Sequence, residues 1–89
     1  MTTTRSRRET VTFKHSFRIQ GIERLLPAGA YLVIADEETL PSETYTGWRR
    51  LSTSIIVPAP GAPGSVEMLS IRAADLAEAQ AIDAGVAND

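Results

Sequence analysis

The chain has no cysteine, one histidine, and among its 89 residues only two phenylalanines, two tyrosines and one tryptophan. Without cysteine there is no disulfide framework, no thiolate nucleophile and no cysteine-held zinc or iron–sulfur centre. A lone histidine adds no transition-metal donor set, so no metal and no cofactor are expected. The aromatics Phe13, Phe17, Tyr31, Tyr45 and Trp48 are too few to interleave with basic residues as a single-strand nucleic-acid platform requires. No apolar stretch approaches the roughly 20 residues of a membrane helix. The basic start, Met1 to Arg8, runs into Glu9 rather than into the apolar core of about 7–15 residues that a signal peptide needs. The expectation is a soluble, cytoplasmic protein with no membrane contact. Gly21 and Gly29 do not make a G-x-G-x-x-G or Walker loop, and Asp36-Glu37-Glu38 lacks the D-x-[DN]-x-[DN]-G spacing of a calcium loop.

What is present is a chain of one-domain size. A core this small leaves a thin stability margin, and self-association adds apolar burial. The net charge of −2 conceals an asymmetry. Residues 1–24 carry Arg5, Arg7, Arg8, Lys14, Arg18 and Arg24 against Glu9 and Glu23, whereas residues 51–89 carry Arg72 against five acids. The two ends are complementary in sign, although each exposed pair contributes only about 0–1 kcal/mol.

The clearest pattern is an alternating run, Val11 to Ile19, separated from a second apolar run, Ala30 to Ala35, by Leu26-Pro27-Ala28-Gly29. Val11, Phe13, Phe17 and Ile19 share one parity, which predicts a half-buried strand from about Glu9 to Ile19. Residues 1–8 read as a flexible basic tail that buries too little apolar surface to offset its ordering entropy. Pro27 presets a turn and Gly29 supplies positive φ. Ala30 to Ala35 is apolar on both faces, Tyr31, Val33 and Ala35 on one and Leu32 and Ile34 on the other, as in a central covered strand. Three carboxylates, Asp36 to Glu38, are expected to end it in water or to meet a basic partner such as the arginine tail of a second copy. Residues 39–47 read as a loop or one helical turn. A third strand follows from Trp48 to Val57, rich in β-branched residues near its end. Pro58 to Gly64 is a loop, with three prolines and two glycines in seven residues. Ser65 to Ile71 reads as a fourth strand. Ala73 to Ala84 reads as a helix with Leu76, Ala79 and Ile82 on one face, Gly85 near its end, and residues 86–89 fraying.

The fold class is therefore mainly β, α+β in detail: a small antiparallel sheet or open barrel of four to five strands with one short C-terminal helix, the fifth strand being 22–26. Residues 9–85 form the single domain.

No catalytic constellation stands out. His15 shares the parity of Phe13 and Phe17 and reads as a partly buried packing residue in preference to an acid, base or ligand. A triad needs a nucleophile and an orienting carboxylate, and no such pair is evident. Trp48-Arg49-Arg50 combines residue types enriched at interface hot spots, against the alternative that Trp48 fills the core while the arginines flank it in solvent. Arg5, Arg7 and Arg8, with Lys14 and Arg18 on the first strand, are the groups able to contact phosphate.

Phe13 and Phe17, the turn Pro27-Ala28-Gly29 followed by Tyr31, the acidic patch Asp36-Glu37-Glu38 and the pair Arg49-Arg50 give the stretch 13–50 a further meaning. This pattern resembles a group of short uncharacterised bacterial proteins. The resemblance implies a stand-alone domain and brings no activity with it. The functional expectation is a non-enzymatic domain acting through protein–protein contacts, homo-oligomeric or bound to a protein partner, with interaction candidates Trp48, Arg49, Arg50, Tyr31, Arg5, Arg7 and Arg8. The alternative is a nucleic-acid-binding accessory protein that uses the basic N-terminal segment.

Overall fold

A computed structural model of the chain describes residues 3–41 and 46–86. Four strands, β1 (Thr4–Phe13), β2 (Gly29–Pro41), β3 (Thr46–Pro58) and β4 (Val66–Ile71), precede one helix, α1 (Ala73–Gly85). The strands form a single antiparallel sheet in the order β1-β2-β3-β4, so each strand pairs with its neighbour in sequence. This is the mainly β architecture the sequence predicts, as an open sheet rather than a barrel.

One face of the sheet holds the core. In an antiparallel sheet, directly opposed residues point to the same face. Val11 opposes Tyr31, and Glu9, Val33, Ile55 and Leu69 form one row across four strands. Leu76 and Ala79 of α1 join Val11, Phe13, Val33, Ile55 and Val57 in one cluster, so the helix covers this inner face. Burial of each of these side chains larger than alanine contributes roughly 1.5–3 kcal/mol. Phe13 and Phe17 stack with centroids 3.5 Å apart, and Tyr31 stands edge-on to Phe17 at 5.2 Å.

The N-terminal half departs from expectation in an instructive way. β1 begins at Thr4 and ends at Phe13, so residues 4–8 are a strand rather than a flexible tail, and residues 14–19 lie outside the sheet. The alternating parity still identified core residues correctly: Val11, Phe13, Phe17 and Ile19 are all buried. What it could not foresee is where the backbone finds hydrogen bonds. Residues 4–8 pair with Glu38 to Ile34, which gives Arg5 and Arg7 a carboxylate to meet. After Phe13 the Lys14 and His15 N–H groups bond instead to the carboxylate of Asp83, at 3.0 and 2.9 Å. Phe17 then makes an isolated bridge to Leu26, with both backbone bonds formed at 2.9 and 2.8 Å, in place of a fifth strand over 22–26.

β2 is correspondingly longer than Ala30 to Ala35. It continues through Asp36-Glu37-Glu38, which therefore do not end the strand. Of the segment expected to be a loop or helical turn, Thr39 to Pro41 lie in β2 and Thr46 and Gly47 in β3, while 42–45, including Tyr45, fall outside the described residues. Gly29 opens β2 at φ +149°, a conformation that suits glycine, as its turn position predicts.

β3 carries a bulge. Asp36 opposes Ser52 and Glu37 opposes Arg50, which leaves Leu51 without an opposite residue. A bulge re-aims the side chains beyond it. Strict alternation from Trp48 to Val57 would put Arg50 on the face of Ser52; the extra residue brings it to the face of Glu37 instead.

The Pro-Gly segment connects β3 to β4 as expected, closed by Ala59 N–H to Ser65 O at 2.9 Å and by Ser65 N–H to Ala62 O at 2.9 Å. The helix matches its predicted span to within a residue. Leu76 and Ala79 are buried, but Ile82 is 63% exposed and does not join them in the core.

Candidate functional site

Beyond the helix, the long strands β1, β2 and β3 continue as a sheet whose inner face is polar. Arg5, Glu37 and Arg50 oppose one another across the three strands. Glu37 is only 7% exposed, and its carboxylate sits among three guanidiniums: Arg5 Nε at 2.9 Å, Arg50 Nε at 3.7 Å and Arg7 at 3.9 Å. The carboxylate removes one charge from a cluster of three, so the patch is net positive. Arg5 also lies over the Trp48 ring, 3.4 Å from its centroid. Such a stack contributes about 0.5–1 kcal/mol at an exposed site. Trp48 is 40% exposed and outside the core cluster, which corrects the core-filling alternative for it.

The opposite, outer face of the same three strands presents a second polar row. Asp36 accepts from Ser6 Oγ at 2.5 Å and from Ser52 Oγ at 2.9 Å. These bonds, Ser6 first, hold the Asp36 carboxyl below its ordinary pKa. Glu38 pairs with Arg49 on β3. Thus the acidic patch is satisfied within the chain, by arginines of β1 and β3 and by Ser6 and Ser52 of the same copy. Among the described residues no three potential metal ligands come together.

Nearer the middle of the sheet the outer face becomes apolar. Thr10, Leu32, Ile56 and Met68 form one row, and Arg8, Ile34, Ser54 and Ser70 the next. No described element covers them. Met68 is 62% exposed and Val66, beside it on β4, is 67% exposed, while Leu32, Ile34 and Ile56 are half-buried. β2 is apolar on both faces as read from the sequence, yet among the described residues only one of those faces is covered.

A third feature joins the two ends of the chain. Asp83, on the last turns of α1, holds the Lys14 and His15 backbone and lies 3.0 Å from His15 Nδ1. An ionised carboxylate only accepts, so Nδ1 carries the proton. The bonds to the Lys14 N–H and to His15 hold the Asp83 carboxyl below its ordinary pKa, against a smaller opposing effect of desolvation. Beside this pair a cleft of about 260 Å³ opens between residues 15–18 and the helix, bordered by Phe17, Leu25, Ile82 and Val86. Arg24 makes a second link between basic and acidic halves, donating to Glu67 at 2.5 Å and to the Pro58 carbonyl at 3.1 Å.

The seven interaction candidates consequently divide. Arg5, Arg7 and Arg50 converge on Glu37, with Trp48 stacked on Arg5; Arg8 and Arg49 lie on the outer face; Tyr31 is in the core. The Tyr31 hydroxyl donates to the Pro27 carbonyl at 2.5 Å, and burial pushes its pKa up. Lys14 and Arg18 lie beyond the end of β1, outside the sheet, so the basic residues named for phosphate contact do not form one stripe. The sequence named Glu37 within an acidic patch that ends a strand in water or meets the arginines of a second copy, and the structure buries it against arginines of the same copy. The sequence did not single out Asp83, Leu25, Met68 or Ile82 for these roles. For Glu37 a signal existed, since it shares the parity of Val33 and Ala35. For Asp83 there was none, because its partners lie 68 and 69 residues away.

Comparison with known proteins found no matching family, no matching curated protein and no matching solved structure. No described helix is long and apolar enough to cross a membrane.

Proposed function

We propose that this chain is a small, soluble, cytoplasmic, non-enzymatic β domain that works through protein–protein contact, and that the contact is a second copy seated on the outer face of the sheet. The observation that carries the reading is the apolar outer row of Leu32, Ile34, Ile56, Met68 and Val66, opposite the face that α1 covers. Two such faces pack at about 10 Å with their strands within roughly 30°. Each large side chain then contributes up to roughly 1.5–3 kcal/mol, against an association cost of about 4–15 kcal/mol. A contact of this kind needs the whole row.

The rim favours self-pairing. It carries both signs, Arg8 and Arg49 with Asp36 and Glu38, as an isologous contact requires for one patch to meet itself. The resemblance of residues 13–50 to short stand-alone bacterial proteins agrees with this reading and adds no activity.

The test is molar mass by size-exclusion chromatography with light scattering, across a concentration series at two salt levels. A dimer insensitive to salt is expected, and Met68→Lys with Val66→Lys should give a monomer with unchanged circular dichroism. A wild-type monomer throughout the series, or a dimer that survives both lysines, overturns the proposal.

The nucleic-acid reading has one observation in its favour, the net-positive cluster of Arg5, Arg7 and Arg50 beside the exposed ring of Trp48. Its test is a generic single-stranded oligonucleotide titrated at rising salt. Affinity falling steeply with salt and lost in Arg7→Gln/Arg50→Gln supports it; no binding at low salt ends it.

A further inference from the structure

Three of the seven large apolar residues exposed among the described residues, Leu25, Ile82 and Val86, line one concavity. They are 54%, 63% and 40% exposed. Chance exposure scatters such residues singly over a surface; convergence on a cleft is the pattern of a ligand site. Phe17 and Ala79 form its apolar floor.

The cleft is bounded by two segments that are tied together. Asp83 holds the backbone N–H groups of both Lys14 and His15, and the His15 ring leans on the same carboxylate. These three contacts fix residues 14 and 15 against the helix, so the cavity exists before a ligand arrives and little ordering cost falls on binding. Asp83 itself is thereby satisfied, which leaves its charge directed at the chain rather than at an incoming anion.

One cation borders the cleft. Arg18 is exposed, and among the described residues no carboxylate lies within ion-pair reach of it. Every other arginine but Arg8 has such a carboxylate. A guanidinium offers a planar fork that matches a carboxylate bidentately.

We infer that this cleft binds a small apolar carboxylic acid, its hydrocarbon body between Leu25, Ile82 and Val86 and its carboxylate on Arg18. At about 30 Å³ for each water-sized group, the 260 Å³ volume admits a body of roughly nine heavy atoms. A medium-length aliphatic acid fits that size; a full-length fatty acid does not. The cleft lies on the helix side of the sheet, away from the outer face, so the inference does not depend on self-association.

The experiment is a titration of the ¹⁵N-labelled protein with sodium octanoate, 1-octanol and octylamine, followed by amide shifts. Octanoate should shift residues 15–18, 25 and 82–86 saturably and bind at least tenfold more tightly than octanol. Arg18→Gln should remove that preference while leaving octanol unchanged. Ile82→Glu, at an exposed position, should abolish octanoate binding without altering the fold. The Met68→Lys/Val66→Lys variant should bind octanoate as the wild type does. Equal binding of octanoate and octanol, a preference for octanoate over octanol that survives Arg18→Gln, shifts confined to Leu32, Ile56 and Met68, or no shifts at all would each overturn the inference.

Discussion

The carboxylate of Asp83 accepts the backbone N–H of His15 at 2.9 Å and lies 3.0 Å from the same residue's ring Nδ1. This contact spans most of the chain and docks α1 onto the point where β1 leaves the sheet. It also explains why β1 stops at Phe13, since the N–H groups that would extend the ladder are already bound.

The Asp83 contact makes a pH prediction whose sign follows from the direction of its shift. The folded pKa lies below the ordinary value of 3.8, so the stabilisation is fully present above about pH 4 and is lost as pH falls through the lower folded value. Urea denaturation of the wild type at pH 7 and at pH 3 should show a drop. Asp83→Asn should be less stable at pH 7 and should lose part of that drop, and an unchanged pH dependence would remove Asp83 as its source.

Glu37 is a buried anion holding three half-exposed arginines. Glu37→Ala leaves their mutual repulsion uncompensated and should cost about 1–2 kcal/mol, below the value for a fully buried pair because water screens the guanidiniums. Restoring one unit of balance with Arg7→Gln in the same chain should recover part of the loss. A double-mutant cycle by urea denaturation checks both statements.

Trp48 is the sole tryptophan, so intrinsic fluorescence reports directly on its stack with Arg5. Arg5→Ala should shift the emission to longer wavelength as water replaces the guanidinium. Trp48→Ala should lower stability by less than about 1 kcal/mol, because the ring stands outside the core. A far larger loss would mean that the ring packs more deeply than its exposure implies.

Gly29 has φ +149° with nothing within 4 Å of the position a Cβ would take. Any cost of Gly29→Ala is therefore backbone strain rather than collision, about 1–2 kcal/mol. Gly85, with no such φ and equal space, should accept alanine at little cost. Thermal denaturation of the two variants separates the cases.

Much of this fold was legible in local pattern. The last two strands, the Pro-Gly connection and the helix lie within two residues of their predicted bounds, because alternation, β-branching and turn residues act over a few positions. The errors cluster where one segment satisfies another far away. Thr4 to Arg8 look like a tail until Asp36 and Glu37 are placed opposite them. Residues 14–19 look like a continuing strand until Asp83 takes two of their N–H groups. Arg50 looks paired in parity with Ser52 until the bulge at Leu51 turns it to Glu37.

The candidate surfaces follow the same division. That β2 is apolar on both faces was readable from Tyr31 to Ala35, because strand geometry alternates whatever the partner. That α1 would cover only one of those faces, leaving Leu32, Ile56 and Met68 outward, depended on where the helix docks. Sequence by itself determined that Val11, Phe13, Phe17 and Ile19 are buried, where the Pro-Gly connection falls and that the protein is mainly β, since hydrophobic periodicity and backbone stereochemistry are local properties. Only the tertiary structure decided which charges meet, which apolar face remains open and that Leu25, Arg18 and Ile82 share a cleft. Those outcomes arise from contacts between residues tens of positions apart, for which no local pattern exists.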